Sequence, residues 1–193
     1  MPTRLKRKIN RQERILSTLA DLTYATSDQI NGIERLGSDR NARRILYEME
    51  KDRLIDSVRH GCKVYFNTRK GSDLIGRNNP RLKRSEVEHS LLRNDAYALL
   101  GYPRNWRKEV PIKKNGELFV RADAVYSKDG RIYFVEIDNR ATMQTNIAKI
   151  KRYSIVFTSL RADAVLVWYT LVNARKKRLA KACDKLGVNY RTL

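Results

Sequence analysis

Long apolar runs are missing from this sequence, which leaves no segment able to cross a membrane as a helix. The opening stretch, Met1-Pro2-Thr3-Arg4-Leu5-Lys6-Arg7-Lys8, has no apolar core of the kind a secretory signal needs. Lipidation motifs and a basic amphipathic anchor are absent too, so the expectation is a cytoplasmic protein with no membrane partner. Cysteine is scarce: Cys62 and Cys183 stand far apart without ligand spacing, which argues against structural zinc and for reduced thiols. His60 and His89 are the two histidines. Neither is assigned to a metal, and His89 is read as a hydrogen-bonded packing residue. There is no internal repeat, low-complexity tract or heptad pattern.

Acidic residues are also in short supply, with 21 Asp+Glu against 41 Lys+Arg, a net charge of +20 and a pI near 10.3. Residues 1–80 hold 17 basic and 10 acidic side chains (+7), and residues 81–193 hold 24 and 11 (+13). Both halves are therefore expected to face phosphates, with double-stranded DNA as the partner. A hydrophobic content of 41% suffices for packed cores, and 193 residues leave room for two small domains.

Residues 1–10 read as a basic arm, and residues 11–76 as a first domain. Ile15, Leu16, Leu19 and Leu22 recur at helical spacing in a helix over 11–24. Thr26-Ser27 offers an N-cap for a short second helix ending near Gly32, and Ser38 one for a third over 39–51. In that third helix Ala42, Ile45, Leu46 and Met49 form an apolar stripe. Arg40, Arg43, Arg44, Tyr47 and Lys51 fall on the other side. Two strands follow, 54–58 and 63–67, joined at His60-Gly61, and Thr68 is placed to cap a fourth helix. Three helices and a hairpin make a winged helix-turn-helix pattern, whose recognition helix fits the major groove. Arg40, Asn41, Arg43 and Arg44 suit base edges, arginine to guanine and asparagine to adenine, with Tyr47 beside them. Arg59 and Lys63 on the wing are expected to touch the adjoining backbone.

Residues 77–84, around Gly76-Arg-Asn-Asn-Pro80, read as a linker, and 85–193 as a second domain. Its first helix, 85–100, opens on a Ser85-x-x-Glu88 capping-box spacing. A strand over 106–114 turns at Asn115-Gly116 into one carrying Asp123. The turn Lys128-Asp129-Gly130 leads to a third, 131–138, carrying Glu136 and Asp138. The last two carboxylates share a face of their strand. Three carboxylates in apolar strands repel one another and lose solvation, for which Mg²⁺ (or Mn²⁺) is the usual compensation. In the next helix Thr142, Thr145, Asn146, Lys149 and Tyr153 share a polar stripe, beside an apolar one of Met143, Ile147, Ile150 and Phe157. A continuously apolar strand over 162–170 follows, then a last helix expected to be capped by Asn173. Arg175, Lys176, Lys177 and Arg178 in its first turns oppose the helix dipole, and a phosphate partner would account for them.

The Asp, then Glu-x-Asp, then a helix with Lys-Ile-Lys-Arg-Tyr resembles the replication-relaxation proteins of plasmids and phages. That resemblance implies an α/β (α+β) chain in two domains. The winged helix-turn-helix would precede a degenerate PD-(D/E)XK nuclease-like domain, an αβββαβ restriction-endonuclease-like fold. Asp123 and Glu136 match the family's metal-binding pair, Asp138 stands where the usual Lys would be, and Lys149 or Lys151 would replace it. The function implied is that of a DNA-binding protein of a mobile element, acting in replication control or transcriptional regulation. An alternative is a Mg²⁺-dependent nickase or endonuclease using Asp123 and Glu136, with Asp138 and Lys149 in supporting roles. A third is a partner-recruiting module for replication or relaxase proteins. Homodimers are common among winged-helix regulators and are one assembly open to this chain, though no heptad or exposed apolar stripe in the sequence demonstrates one.

Overall fold

The computed structural model describes residues 3–78, 83–160 and 163–193. Among them are seven α-helices and two sheets, a mixed α+β chain. The chain divides into two compact units, Met1–Ala98 and Leu99–Leu193. No helix among the described residues is long and apolar enough to cross a membrane.

The first unit begins with α1 (Arg4–Leu22), whose buried stripe is the expected Ile15, Leu16, Leu19 and Leu22. The basic arm is thus mostly the first turns of this helix. A two-residue strand, β1 (Ala25–Thr26), leads into α2 (Ser27–Glu34), closed by a reciprocal capping box between Thr26 and Gln29. Helix α3 (Asp39–Lys51) starts where the Ser38 hydroxyl accepts from the Asn41 N–H. Its buried residues are Ala42, Ile45, Leu46 and Met49, as the periodicity predicts. Burying each larger side chain contributes about 1.5–3 kcal/mol. The hairpin of β2 (Ile55–His60) and β3 (Cys62–Asn67) turns at Gly61, and β3 lies between β1 and β2. Thr68 caps α4 (Arg69–Leu74), which brings Gly71 against the Leu54 carbonyl.

Helix α5 (Val87–Leu99) departs from the expected domain boundary, which had the second domain begin at residue 85. It packs on the first unit instead. Val87 is buried with Tyr24 and Val64, and the Asn94 side chain donates to the Tyr24 carbonyl at 2.6 Å. The Gln29 amide donates to the Leu91 carbonyl (3.1 Å) and to Asp95 (2.7 Å). These contacts join residues more than sixty positions apart, which local sequence patterns do not reveal. Ser85 lies in a 3₁₀ turn, Arg84–Glu86. Of the expected linker, residues 79–82 (Pro80 among them) lie outside the described residues.

The second unit is a five-stranded sheet in the order β4-β5-β6-β7-β8. The strands are β4 (Arg107–Lys114), β5 (Glu117–Lys128), β6 (Arg131–Ile137), β7 (Ala164–Tyr169) and β8 (Tyr190–Thr192). The β4–β5 and β5–β6 hairpins turn at Asn115-Gly116 and Asp129-Gly130, with positive φ at all four residues. That is the type I′ requirement, and it explains why Asn-Gly and Asp-Gly stand there. Helix α6 (Met143–Ser159), capped by Thr142, connects β6 to β7 in parallel, and α7 (Asn173–Lys185) connects β7 to β8. Asn173 is the first residue of α7 rather than its cap; Val172 holds the cap position without a side-chain bond. Ile150, Tyr153, Leu179 and Cys183 of the helices pack with Phe134, Leu166 and Trp168 of the sheet. The edge strands are β4, which carries Pro111, and the short β8.

Candidate functional site

The carboxylates of the second unit gather where β5 and β6 run side by side. The register pairs Ala124 with Val135, so one further residue sets Asp123 across from Glu136. The Asp123 carboxylate accepts from the Ile137 N–H at 2.7 Å. Glu136 is fully buried, with one oxygen accepting from the Tyr153 hydroxyl at 2.6 Å and the other from the Lys149 ammonium. Of the polar stripe expected on α6, Asn146, Lys149 and Tyr153 therefore turn to the sheet, while Thr142 and Thr145 stay exposed. Lys149 is the one of the two candidate lysines that reaches the acidic rim, while Lys151 is exposed.

Asp138 follows the end of β6 and is equally enclosed. Its side chain takes both guanidinium arms of Arg175, each at 2.6 Å, and the Asn146 amide at 2.7 Å. Arg175 also donates to the Ala141 carbonyl at 2.6 Å. This corrects the expectation of Arg175 as a phosphate contact: its guanidinium serves an internal bidentate pair, the geometry arginine favours with carboxylates. Arg175 thereby sets a positive charge directly against Asp138.

Glu109 carries no local signal in the sequence pattern. It sits in β4 at φ +51, where the ladder passes from Lys108↔Ala124 to Val110↔Ala122. Left-handed backbone at a non-glycine costs about 1–2 kcal/mol. The Glu109 charge acts on Lys149 together with those of Glu136 and Asp123. Burial works against the ammonium, but these three carboxylates outweigh it and hold the Lys149 pKa above the ordinary lysine value. Burial, then the Asp123 charge, pushes Glu136 up to about 8, against the pull of Lys149 and Tyr153. Burial and Glu136 raise the Tyr153 phenol as well.

Glu136 thus retains a proton in the native state that it releases when unfolded, over the window from about 4.5 to about 8. Stability is lost as pH rises through that window. Urea midpoints at pH 5, 7 and 9 should fall with pH, and Glu136→Gln should flatten the fall. An unchanged slope in that variant would count against a buried, proton-retaining Glu136.

Glu136 and Asp138 leave a divalent cation no open oxygen, whereas Glu109 and Asp123 bring one carboxylate oxygen each within 4.8 Å of the other. Mg²⁺ needs carboxylate oxygens open to it. Lys149 and Tyr153 take both oxygens of Glu136, and Arg175 and Asn146 those of Asp138. An ammonium touching Glu136 repels an incoming metal. What the rim offers outward is Lys149, whose side chain is 29% exposed while that of Glu136 is 0%. Chemically this is a cation held in place by carboxylates behind it, suited to a phosphate.

In the first unit, Arg40, Arg43 and Arg44 are exposed on α3, and Tyr47 is 62% exposed beside them. Asn41 departs from the expected reading of adenine. Its amide N–H donates to the Leu36 carbonyl at 2.6 Å and its oxygen accepts from Arg44 at 3.0 Å, so it fixes the turn before α3. Arg44 also pairs with Glu48. Arg59 is exposed on β2, whereas Lys63 is tied to Glu50 at 2.5 Å. Lys177 and Arg178 are exposed on α7, and Lys176 is half-buried.

The sequence model of the replication-relaxation family matches residues 16–166, well over half of the chain. No curated protein and no solved structure matches it.

Proposed function

This chain belongs to the replication-relaxation family, and we propose that it is a DNA-binding protein of a plasmid or phage acting in replication control. Transcriptional regulation by the same contacts is the neighbouring reading. In this proposal the first unit is a winged helix-turn-helix with α3 in the major groove. The second is a nuclease-like domain that grips neighbouring duplex without cutting it. The observation that carries the proposal is the face of α3 opposite its buried stripe. Arg40, Arg43 and Tyr47 stand exposed there, and among the described residues neither Arg40 nor Arg43 makes an ion pair.

Arg40→Ala/Arg43→Ala is expected to lower duplex affinity at least about tenfold and to flatten its salt dependence by up to about two ions released. Titrating labelled origin duplex at several salt concentrations checks this. Affinity and slope equal to wild type would remove α3 from the groove. A partner-recruiting module instead predicts weak duplex binding at physiological salt, which the same titration reads.

The nuclease reading has one observation in its favour: Lys149 stands beside Glu136 and near Asp123, a cation where the missing Lys would act. The occupied oxygens of Glu136 weigh against it. Supercoiled plasmid incubated with the protein and Mg²⁺ or Mn²⁺ is expected to stay intact. Nicking that disappears in Asp123→Ala/Glu136→Ala would reverse that conclusion.

A further inference from the structure

Three aromatic rings stack across the second unit's sheet. Trp106, just before β4, lies on Tyr126 of β5 with centroids 6.0 Å apart, and Tyr126 lies on Tyr133 of β6 at 4.5 Å. The second pair is nearly parallel, 5° between planes. Tyr126 and Tyr133 are direct cross-strand partners, so the register itself builds the stack. Trp106 and Tyr126 also line a cavity of about 520 Å³. Arg104, Asn105 and Arg107 line it too, and both arginines are exposed. The Asn105 side chain, bonded to the Ser127 backbone from both ends (3.0 and 3.3 Å), pins the segment that carries them. The Arg191 charge also reaches Tyr126. None of the phosphate contacts proposed for α3 involves these residues.

Flat rings flanked by arginines, beside a cavity roomy enough for a nucleobase, are the chemistry of single-strand recognition. Bases contact aromatic surface while guanidinium groups neutralise the connecting phosphates. Duplex DNA keeps its bases stacked on one another and cannot present one to such a cavity without unpairing it. We propose that the cavity between Arg104, Trp106, Arg107 and Tyr126 binds single-stranded DNA, taking a base against the half-buried Trp106, which the buried Tyr126 backs from behind, and its phosphates on the two arginines. This extends the proposed duplex binding to a second form of DNA on the other unit.

The chain contains two tryptophans, Trp106 and Trp168, and Trp168 is 1% exposed in the core. Quenching of tryptophan fluorescence by a strand therefore reports on Trp106. Full-length protein titrated with an oligothymidine of twelve nucleotides is expected to show saturable quenching. In the same assay Arg104→Ala/Arg107→Ala should weaken the strand at least about tenfold. Lys181→Ala/Lys185→Ala, removing equal charge from exposed positions on α7, should leave it within about twofold. Trp106→Phe, followed by anisotropy of a labelled strand, should retain most of the affinity that Trp106→Ala loses. Arg40→Ala/Arg43→Ala should weaken duplex but not strand, which separates this proposal from the reading of α3. Absent quenching overturns it. So do equal losses in the two charge-removing variants, or a strand affinity that falls with the α3 arginines. An oligouridine bound more tightly than the oligothymidine would overturn the assignment to DNA.

Discussion

Arg175→Met is expected to destabilise the second unit by about 3–5 kcal/mol, the penalty for leaving a buried carboxylate without its charged partner. The Asp138 side chain is fully enclosed, and after the substitution the Asn146 amide is its one remaining side-chain donor among the described residues. Methionine preserves much of the arginine's apolar stem, so the loss reads the ion pair rather than a cavity. Asp138→Asn/Arg175→Met should recover much of the stability, because the uncompensated charge goes with the second change. Urea unfolding of the three proteins decides it. A single variant as stable as wild type would mean that Asp138 does not depend on Arg175, and the internal role assigned to that arginine would fall.

Gly71→Ala is the second large effect. A β-carbon there would lie 2.0 Å from the Leu54 carbonyl oxygen and 2.9 Å from the Leu16 side chain. The first obstacle is backbone in the loop that Thr68 also ties down, at 2.8 and 3.0 Å to the Arg53 and Leu54 carbonyls. α4 must therefore move away from α1, at a cost of about 3 kcal/mol or more. For a unit of this size the melting temperature should drop by about 10 °C or more. Duplex binding at 37 °C should weaken with it if α3 carries that binding. A melting curve within a degree or two of wild type would show that α4 is not held against that carbonyl.

What could be read beforehand divides by range. Ser38, the stripe from Ala42 to Met49, and the Asn-Gly and Asp-Gly turns act within a few residues, and the elements formed where they indicate. The approach of Asp123 to Glu136 was also legible, since the Asp-Gly turn sets β5 beside β6. The polar stripe of α6 by itself reads as a solvated face, and only its docking on the sheet turns Lys149 and Tyr153 to Glu136. The partnership of Asp138 with Arg175 was not legible. It spans 37 residues and two elements, and a run of four cations opening a helix looks like a solvated face whichever member turns inward. Asn41 misled for a related reason: an amide that would suit adenine also suits the carbonyl of the preceding turn, and the nearer acceptor took it. Helix α5 has a cap signal and an apolar stripe, but neither says which core the stripe joins. Glu109 had no signal at all, because a left-handed residue inside a strand follows from the neighbouring ladder.

Pro111 has a consequence for how copies of this chain meet. Placed within an outer strand of the sheet and followed by Lys113 and Lys114, it withholds one amide hydrogen where a foreign strand would need it and surrounds the gap with like charge. Sheet-to-sheet fusion along β4 is thereby blocked, and with it the commonest route from an open sheet to fibrils. Any pairing of two molecules is then expected to use another surface, leaving this strand rim free.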